Sequence, residues 1–274
     1  MRRNLLVLSL IAILLALGPA VAQGQYRQPS ASRPATGENY HVEFAGVFWK
    51  PTPSLTIAVK SVDLPGTEID AVKDLGFTKS KFYEIRLVVR PAKKHKFLFN
   101  RLPMKYTAEA VLQREITFNG VVYQVGIPVQ SQLEWKSLRF AYEYDFVYRN
   151  RGFVGFIVGA DLLEVSASLE APLVHGSVHE KTPTPLLGGI ARVYVLSNVS
   201  ITARVLGFKL PESVDSERRY SLRMFDVDVY GTLNFSDNFG VQGGYRSFNV
   251  TFRVKQDSGD FLVKGFYMSG VVRF

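Results

Sequence analysis

The chain has no cysteine among its 274 residues. This excludes a disulfide framework, thiol chemistry and a lipid anchor on cysteine. The chain also lacks a long apolar run after residue 22, because charges interrupt every apolar segment before it reaches the roughly 20 residues that a transmembrane helix needs. Any part of the mature chain that spans a membrane is therefore expected to consist of β-strands.

Residues 1–22 have the parts of a secretory signal peptide. Arg2 and Arg3 precede an apolar stretch over residues 5–17, and small residues follow up to Ala22. The alternative, an anchored helix, needs a longer apolar run. We therefore expect export and cleavage after Ala22.

From residue 40 onward the chain consists of segments in which apolar and polar residues alternate. In one segment Tyr83, Ile85, Leu87 and Val89 alternate with Glu84, Arg86, Val88 and Arg90. The last segment alternates in the same way and places Phe266, Met268, Gly270, Val272 and Phe274 on one face. A period of two predicts β-strands with one apolar face.

Turn chemistry divides these strands, and short and long connections follow each other in alternation. Short turns are expected near residues 93–96 and at Ser197-Asn198, and long loops at residues 63–79, 170–185 and 211–219. A further turn signal, Asn119-Gly120, predicts a hairpin at an outer tip. The count is about ten strands, with eight as the main alternative, since the prolines near residue 51 complicate the first strand.

This pattern over residues 40–274 resembles the small Gram-negative outer-membrane β-barrels of the OmpA transmembrane-domain or OmpW kind. The resemblance implies an all-β fold, a closed antiparallel transmembrane β-barrel, that is monomeric and has both termini in the periplasm. It also implies that the terminal strand, ending in Phe274, is the signal for the barrel assembly machinery. Residues 23–39, rich in Gln, Ser, Pro and Ala, are expected to form a flexible periplasmic segment before the barrel.

The excess of basic residues predicts negatively charged partners. Removal of Arg2 and Arg3 leaves 31 of the 33 basic residues against 24 acidic ones, a formal charge of +7. An exported protein rarely meets nucleic acid, so outer-membrane lipids and lipopolysaccharide phosphates are the expected counterions.

The polar faces of the predicted strands supply the candidate site, a charge network inside the lumen. Its members are Glu84, Arg86, Arg90, Arg101, Lys105, Glu109, Arg139, Glu143, Asp145, Asp161, Arg192, Arg204, Asp226, Asp228 and Arg246. Because eight to ten strands enclose a lumen that side chains can fill, the simplest interpretation is a salt-bridged plug. The alternative is a narrow polar path or a ligand pocket.

No catalytic residue, metal site or cofactor is predicted. Four histidines are present: His41 and His95 are expected at the periplasmic end, and His175 and His179 in an outer loop. Two histidines without a fixed third ligand are a weak metal signal. The leading hypothesis is a structural barrel, a narrow channel or a barrel that binds small molecules. A surface adhesin acting through residues 63–79 and 170–185 is the alternative, and an enzyme acting on lipid A or peptides ranks third.

Overall fold

A computed structural model describes residues 35–58, 67–210, 220–254 and 257–274. The predicted signal peptide, most of the predicted flexible segment and the predicted loop at residues 211–219 lie outside these ranges. No described helix is long and apolar enough to cross a membrane. The strands are β1 (Val42–Trp49), β2 (Thr52–Ala58), β3 (Ile69–Asp70), β4 (Phe82–Ala92), β5 (His95–Val111), β6 (Ile116–Phe118), β7 (Val121–Tyr123), β8 (Pro128–Arg149), β9 (Gly152–Ala171), β10 (Val174–Leu196), β11 (Val199–Lys209), β12 (Tyr220–Asn234), β13 (Phe239–Val254) and β14 (Asp257–Arg273).

Ten of these strands close into an antiparallel barrel. Their order is β1-β4-β5-β8-β9-β10-β11-β12-β13-β14, and β1 pairs with β14 to complete the ring. After the break at Pro51, β2 continues along the upper part of β14 and carries the short β3. The predicted closed antiparallel barrel of ten strands is confirmed.

The first and last strands meet at a seam that is bonded along its whole length. The Phe274 carbonyl accepts hydrogen bonds from the backbone N–H groups of His41 and Val42 at 2.7 and 3.0 Å, and the Phe274 N–H donates to the Val42 carbonyl at 2.9 Å. Arg273 donates to Glu43 at 2.6 Å just inside the seam. The terminal strand therefore has a partner on both sides and leaves no open edge.

Four connections of two to four residues, between β4 and β5, β8 and β9, β10 and β11, and β12 and β13, lie at one end of the barrel, together with the described start of the chain and its carboxyl terminus. Ser197-Asn198 forms the expected tight turn there. At the other end, Asn119 and Gly120 have φ angles of 48° and 76°, which is the backbone conformation of the predicted hairpin. The loop predicted at residues 170–185 is wrong: β9 and β10 run through it and are joined by a two-residue turn.

An apolar belt surrounds the half of the barrel that carries the short turns. On β9 the outward-facing residues of the belt extend from Val154 to Leu162, and Val158 between them is also exposed. Eight steps of roughly 3.3 Å give about 26 Å along the strand. A tilt of about 40° reduces this to a height of about 20 Å, close to the roughly 25 Å apolar band of outer-membrane barrels.

Beyond the belt, β5, β8, β9 and β10 continue well past the level of Leu162, and here the apolar face of each strand turns from the outside to the inside. Trp135 stacks on Phe261 with a centroid distance of 4.4 Å and meets Phe248 edge-on at 5.7 Å. All three rings are buried between the walls. The environment outside the strand changes from lipid to water at the belt edge. Below that edge apolar side chains are favoured on the outer face, and above it they are favoured on the inner face.

Candidate functional site: a charge-paired lumen

The lumen at the level of the belt contains every charged side chain that is buried in the described residues. Eight are basic and eight are acidic, so the formal charges cancel. The basic members are Arg86, Arg90, Lys96, Arg139, Arg192, Arg204, Arg246 and Arg273. The acidic members are Glu38, Glu43, Glu84, Glu143, Asp145, Asp161, Asp226 and Asp228.

Arg139 and Asp226 lie at the centre of this network. Arg139 on β8 donates to Asp161 on the neighbouring β9 at 2.8 and 3.1 Å, and to Asp226 across the lumen on β12 at 2.8 Å. Asp226 also accepts two hydrogen bonds from Arg246 on β13, at 2.8 and 2.9 Å. The Arg246 guanidinium thus bonds both oxygens of Asp226, a two-point geometry whose charge-assisted hydrogen bonds are about twice as strong as neutral ones.

The same alternation of acid and base continues to the opposite wall. Arg246 donates to Glu84 on β4 at 3.0 Å, and Glu84 accepts from Arg86 at 2.9 Å. Arg86 then lies 3.2 Å from Asp228, which also accepts from Arg204 at 2.9 Å. A continuous chain of ion pairs thus crosses the lumen and links β9 to β11 through the interior.

A second group of charges surrounds Lys96. Its ammonium lies 2.6 Å from Glu143, 2.9 Å from Asp145 and 3.6 Å from the centroid of the Phe153 ring. Sequence reasoning placed Lys96 in an exposed basic turn, but β5 begins at His95 and directs Lys96 into the barrel.

Residues 35–40 close the end of the lumen that carries the short turns. Glu38 accepts from Arg192 at 2.8 Å and from the Tyr194 hydroxyl at 2.9 Å. The backbone of Thr36 donates to the Ser197 carbonyl and accepts from Asn234. Residues 35–38, which belong to the segment predicted to be flexible, are thus hydrogen-bonded at the barrel mouth.

The structure places twelve of the fifteen predicted lumenal residues inside the barrel and three outside. Arg101, Lys105 and Glu109 are exposed on the outer wall of β5, while Leu102 and Met104 between them face inward. The assignment of these three residues to the lumen is wrong, because this part of β5 rises above the belt, where the apolar face points to the core.

Four members of the network were absent from the predicted set: Glu38, Glu43, Lys96 and Arg273. For Glu43 and Arg273 the signal was available, since each alternates with the apolar residues of a recognised strand. Glu38 gave no such signal, because it precedes the first strand and has no periodicity around it.

The filled lumen leaves little free volume. A cavity of about 40 Å³ lies among the charges, bordered by Arg86, Asn100 and Gln242. At roughly 10–15 Å³ for each water centre, it has room for only a few water molecules. Directly above the charges, the Arg246 guanidinium lies 5.4 Å from the Trp49 ring and 5.9 Å from Phe248, so the charged layer and the apolar core are in contact.

The histidines lie on the barrel wall and share no site. His175 and His179 face outward on β10, four residues apart on an extended strand, a separation of roughly 13 Å that is too long for one metal ion. His175 lies 3.4 Å from Glu170, and the His179 ring nitrogen lies 2.6 Å from the Ser166 hydroxyl, on an exposed surface. No cluster of three potential metal ligands occurs in the described part of the chain.

One ion pair outside the membrane belt holds the outer connections together. Arg114 donates to the two carboxylate oxygens of Asp74 at 3.1 and 2.6 Å, and to the Glu68 carbonyl at 2.6 Å. The hydrogen bonds from Arg114 to the Asp74 carboxylate lower the pKa of Asp74.

A closed ten-stranded barrel with an apolar belt and a polar lumen is the fold of Gram-negative outer-membrane β-barrel proteins. Among solved structures, the outer membrane protease OmpT from Escherichia coli has a TM-score of 0.55 and 8% identity, covering 89% of this chain and 100% of that chain. A FadL homologue from Pseudomonas aeruginosa has a TM-score of 0.40 and 9% identity, with 86% and 71% covered. The toluene transporter TodX from Pseudomonas putida has a TM-score of 0.35 and 9% identity, with 89% and 93% covered.

No known family profile and no curated protein sequence matches this chain. The structural similarity concerns the fold alone, and the names of these proteins cover both a protease and a transporter.

Proposed function

We propose that this protein is a non-conducting anchor in the bacterial outer membrane, which carries a rigid β-structure beyond the membrane surface. The observation that carries the proposal is the neutral, fully buried charge network with a cavity of only about 40 Å³. A water-filled channel needs a continuous path, and small barrels rarely have one. The apolar core above the charges adds a second barrier to ions.

The orientation is part of the same proposal. The end with the short turns, residues 35–40 and Phe274 faces the periplasm, and the extended ends of β8, β9 and β10 face the outside. Outer-membrane barrels have short periplasmic turns and longer outer connections, which supports this arrangement.

Planar-bilayer recording tests whether the lumen conducts. We expect no discrete current steps from the purified protein, because the charges are paired and the space between them is too small for a hydrated ion. Reproducible steps that change in size on Arg139→Ala or Asp226→Ala would show a path through the network and refute the proposal. The control is Arg101→Ala on the outer wall, which leaves the lumen unchanged.

A second candidate function is adhesion or binding through the outer structures, and one observation favours it. Leu173, at the tip of the β9–β10 hairpin, is 95% exposed, although leucine is normally buried. An apolar side chain at the outermost turn of a rigid hairpin is suited to contact with a partner. Loss of cell or partner binding on Leu173→Ser, with the barrel still folded, would support this role.

A further inference from the structure

A groove of about 430 Å³ lies on the outer wall of the barrel, at the upper edge of the apolar belt. It crosses β5, β8, β9 and β10. Its size falls within the range of small-molecule sites, which run from about 300 to 1,000 Å³. It differs from the lumen cavity in being open to the surroundings of the barrel.

Strand register divides the wall around this groove into three levels. The lowest, an apolar level, consists of Phe99, Phe140, Ala160 and Pro185. The next, a boundary level, consists of Arg101, Leu138, Leu162 and Pro183. The highest, a charged level, consists of Pro103, Lys136, Glu164 and Lys181. On each of the four strands, the last apolar residue and the first charged residue are two positions apart, roughly 7 Å. The wall therefore changes from apolar to ionic over this distance.

The groove has more positive than negative charge. Lys136 lies 3.4 Å from Glu164 and 3.5 Å from Glu134, and Lys181 lies 3.2 Å from the other Glu164 oxygen, so three cations face two carboxylates. Arg101 has no carboxylate partner among the described residues. Lys136 and Lys181 are also more than half exposed, so all three cations have hydrogen-bond donors free for an anion.

The apolar part of the groove lies directly below these cations. Leu138 and Leu162 are adjacent across β8 and β9 and are 38% and 48% exposed. They continue the apolar belt without interruption. A ligand that fits has an anionic head at the level of Lys136 and Lys181 and a hydrocarbon chain that descends over the two leucines.

We propose that this groove binds the lipid A part of lipopolysaccharide, with a lipid phosphate between Arg101, Lys136 and Lys181 and an acyl chain on Leu138 and Leu162. The inference rests on the proposed orientation, which places this edge of the belt in the outer leaflet. Charge complementarity and continuity with the belt together select a phosphorylated lipid over a soluble anion.

Native mass spectrometry of the purified protein in detergent, titrated with diphosphoryl lipid A, tests the proposal. Each basic residue near a lipid surface contributes a severalfold gain in affinity, so Arg101→Gln/Lys136→Gln/Lys181→Gln should lower lipid A affinity by about 10- to 100-fold. Glu164→Gln removes the carboxylate that contacts both Lys136 and Lys181 and should raise affinity severalfold. Phosphatidylethanolamine, which has no net charge, should bind weakly to all variants.

The matched control removes the same number of positive charges from other parts of the barrel wall. Lys209→Gln/Arg223→Gln/Lys264→Gln changes three exposed basic residues on β11, β12 and β14 and should leave lipid A affinity within about twofold of the wild type. Equal losses in the two triple variants would show diffuse attraction and overturn the proposal. So would wild-type affinity in the groove variant.

Heat-dependent migration on a gel checks that each variant folds. If the groove triple variant fails to fold, Lys181→Gln and Glu164→Gln, with opposite expected shifts, still decide the question. Lipid binding in detergent does not depend on conductance, so current steps in a bilayer would refute the proposed function without affecting this result.

Discussion

Substitution of Asp226 is the most direct test of the charge network. The Asp226 carboxylate accepts hydrogen bonds from Arg139 and Arg246 and is 2% exposed. Replacement by alanine leaves two buried guanidinium groups with one partner fewer each. Breaking a buried ion pair from one side costs about 3–5 kcal/mol. We expect the lower end of this range for Asp226→Ala, about 3 kcal/mol, because Arg139 keeps Asp161 and Arg246 keeps Glu84.

The double variant Asp226→Ala/Arg246→Met separates charge balance from simple loss of contacts. It removes one acid and one base, and it leaves Arg139 on Asp161 and Glu84 on Arg86. If unpaired charge causes the instability of the single variant, the double variant should lose less free energy of unfolding than the two single variants lose in sum, by about 1–3 kcal/mol.

Urea titration in lipid vesicles measures these free energies of unfolding. Trp49, whose ring lies 5.4 Å from the Arg246 guanidinium, and Trp135 in the apolar core are the two tryptophans, and their fluorescence reports on both layers. The control, Arg101→Gln, should change stability by less than about 0.5 kcal/mol, as surface substitutions usually do. A cost below about 1 kcal/mol for Asp226→Ala, or a similar cost for Arg101→Gln, would refute the account of the lumen.

Two further predictions concern packing and pH. Gly244→Ala should destabilise the barrel by about 2 kcal/mol or more in the same urea titration, because the added carbon would lie 2.5 Å from the Tyr230 Cβ. Gly270→Ala, where nothing lies within 4 Å, should cost less than about 1 kcal/mol, and equal effects would contradict the packing argument. The Asp74–Arg114 contact should stabilise the outer connections at pH values above the ordinary Asp pKa and weaken as the pH falls through the lowered pKa of the folded state. Hydrogen exchange of residues 67–79, corrected for intrinsic rates, should therefore accelerate at low pH in the wild type, whereas a matching pH response in Asp74→Asn would disprove the role of this carboxylate.

The sequence was sufficient to predict most of the membrane half of the barrel, where one rule applies to every strand. Below the belt edge, apolar residues such as Val158 face lipid and charged residues such as Asp161 face the lumen, so alternation alone assigns each side chain to its face. Above that edge the rule is reversed. Arg101 was misassigned because nothing within β5 marks the level at which lipid gives way to water.

The remaining discrepancies have other physical causes. Glu38 contributes through tertiary contacts made by a segment with no periodicity, and such contacts leave no local pattern. The predicted loop at residues 170–185 contains Pro183 and Pro185, which suggested a break. On β10 they are accommodated in a strand that stays paired with β9 along this stretch.

The seam between β1 and β14 also has a consequence for the order of folding. The ion pair between Glu43 and Arg273 joins residues 230 positions apart, whereas the neighbouring strands within the wall are joined by turns as short as two residues. Contacts between distant positions carry the largest loss of chain entropy, and they form after the local hairpins have reduced the effective distance. We therefore expect closure to be the last and slowest step, and until then the chain has two unpaired edges with which a second copy can exchange strands.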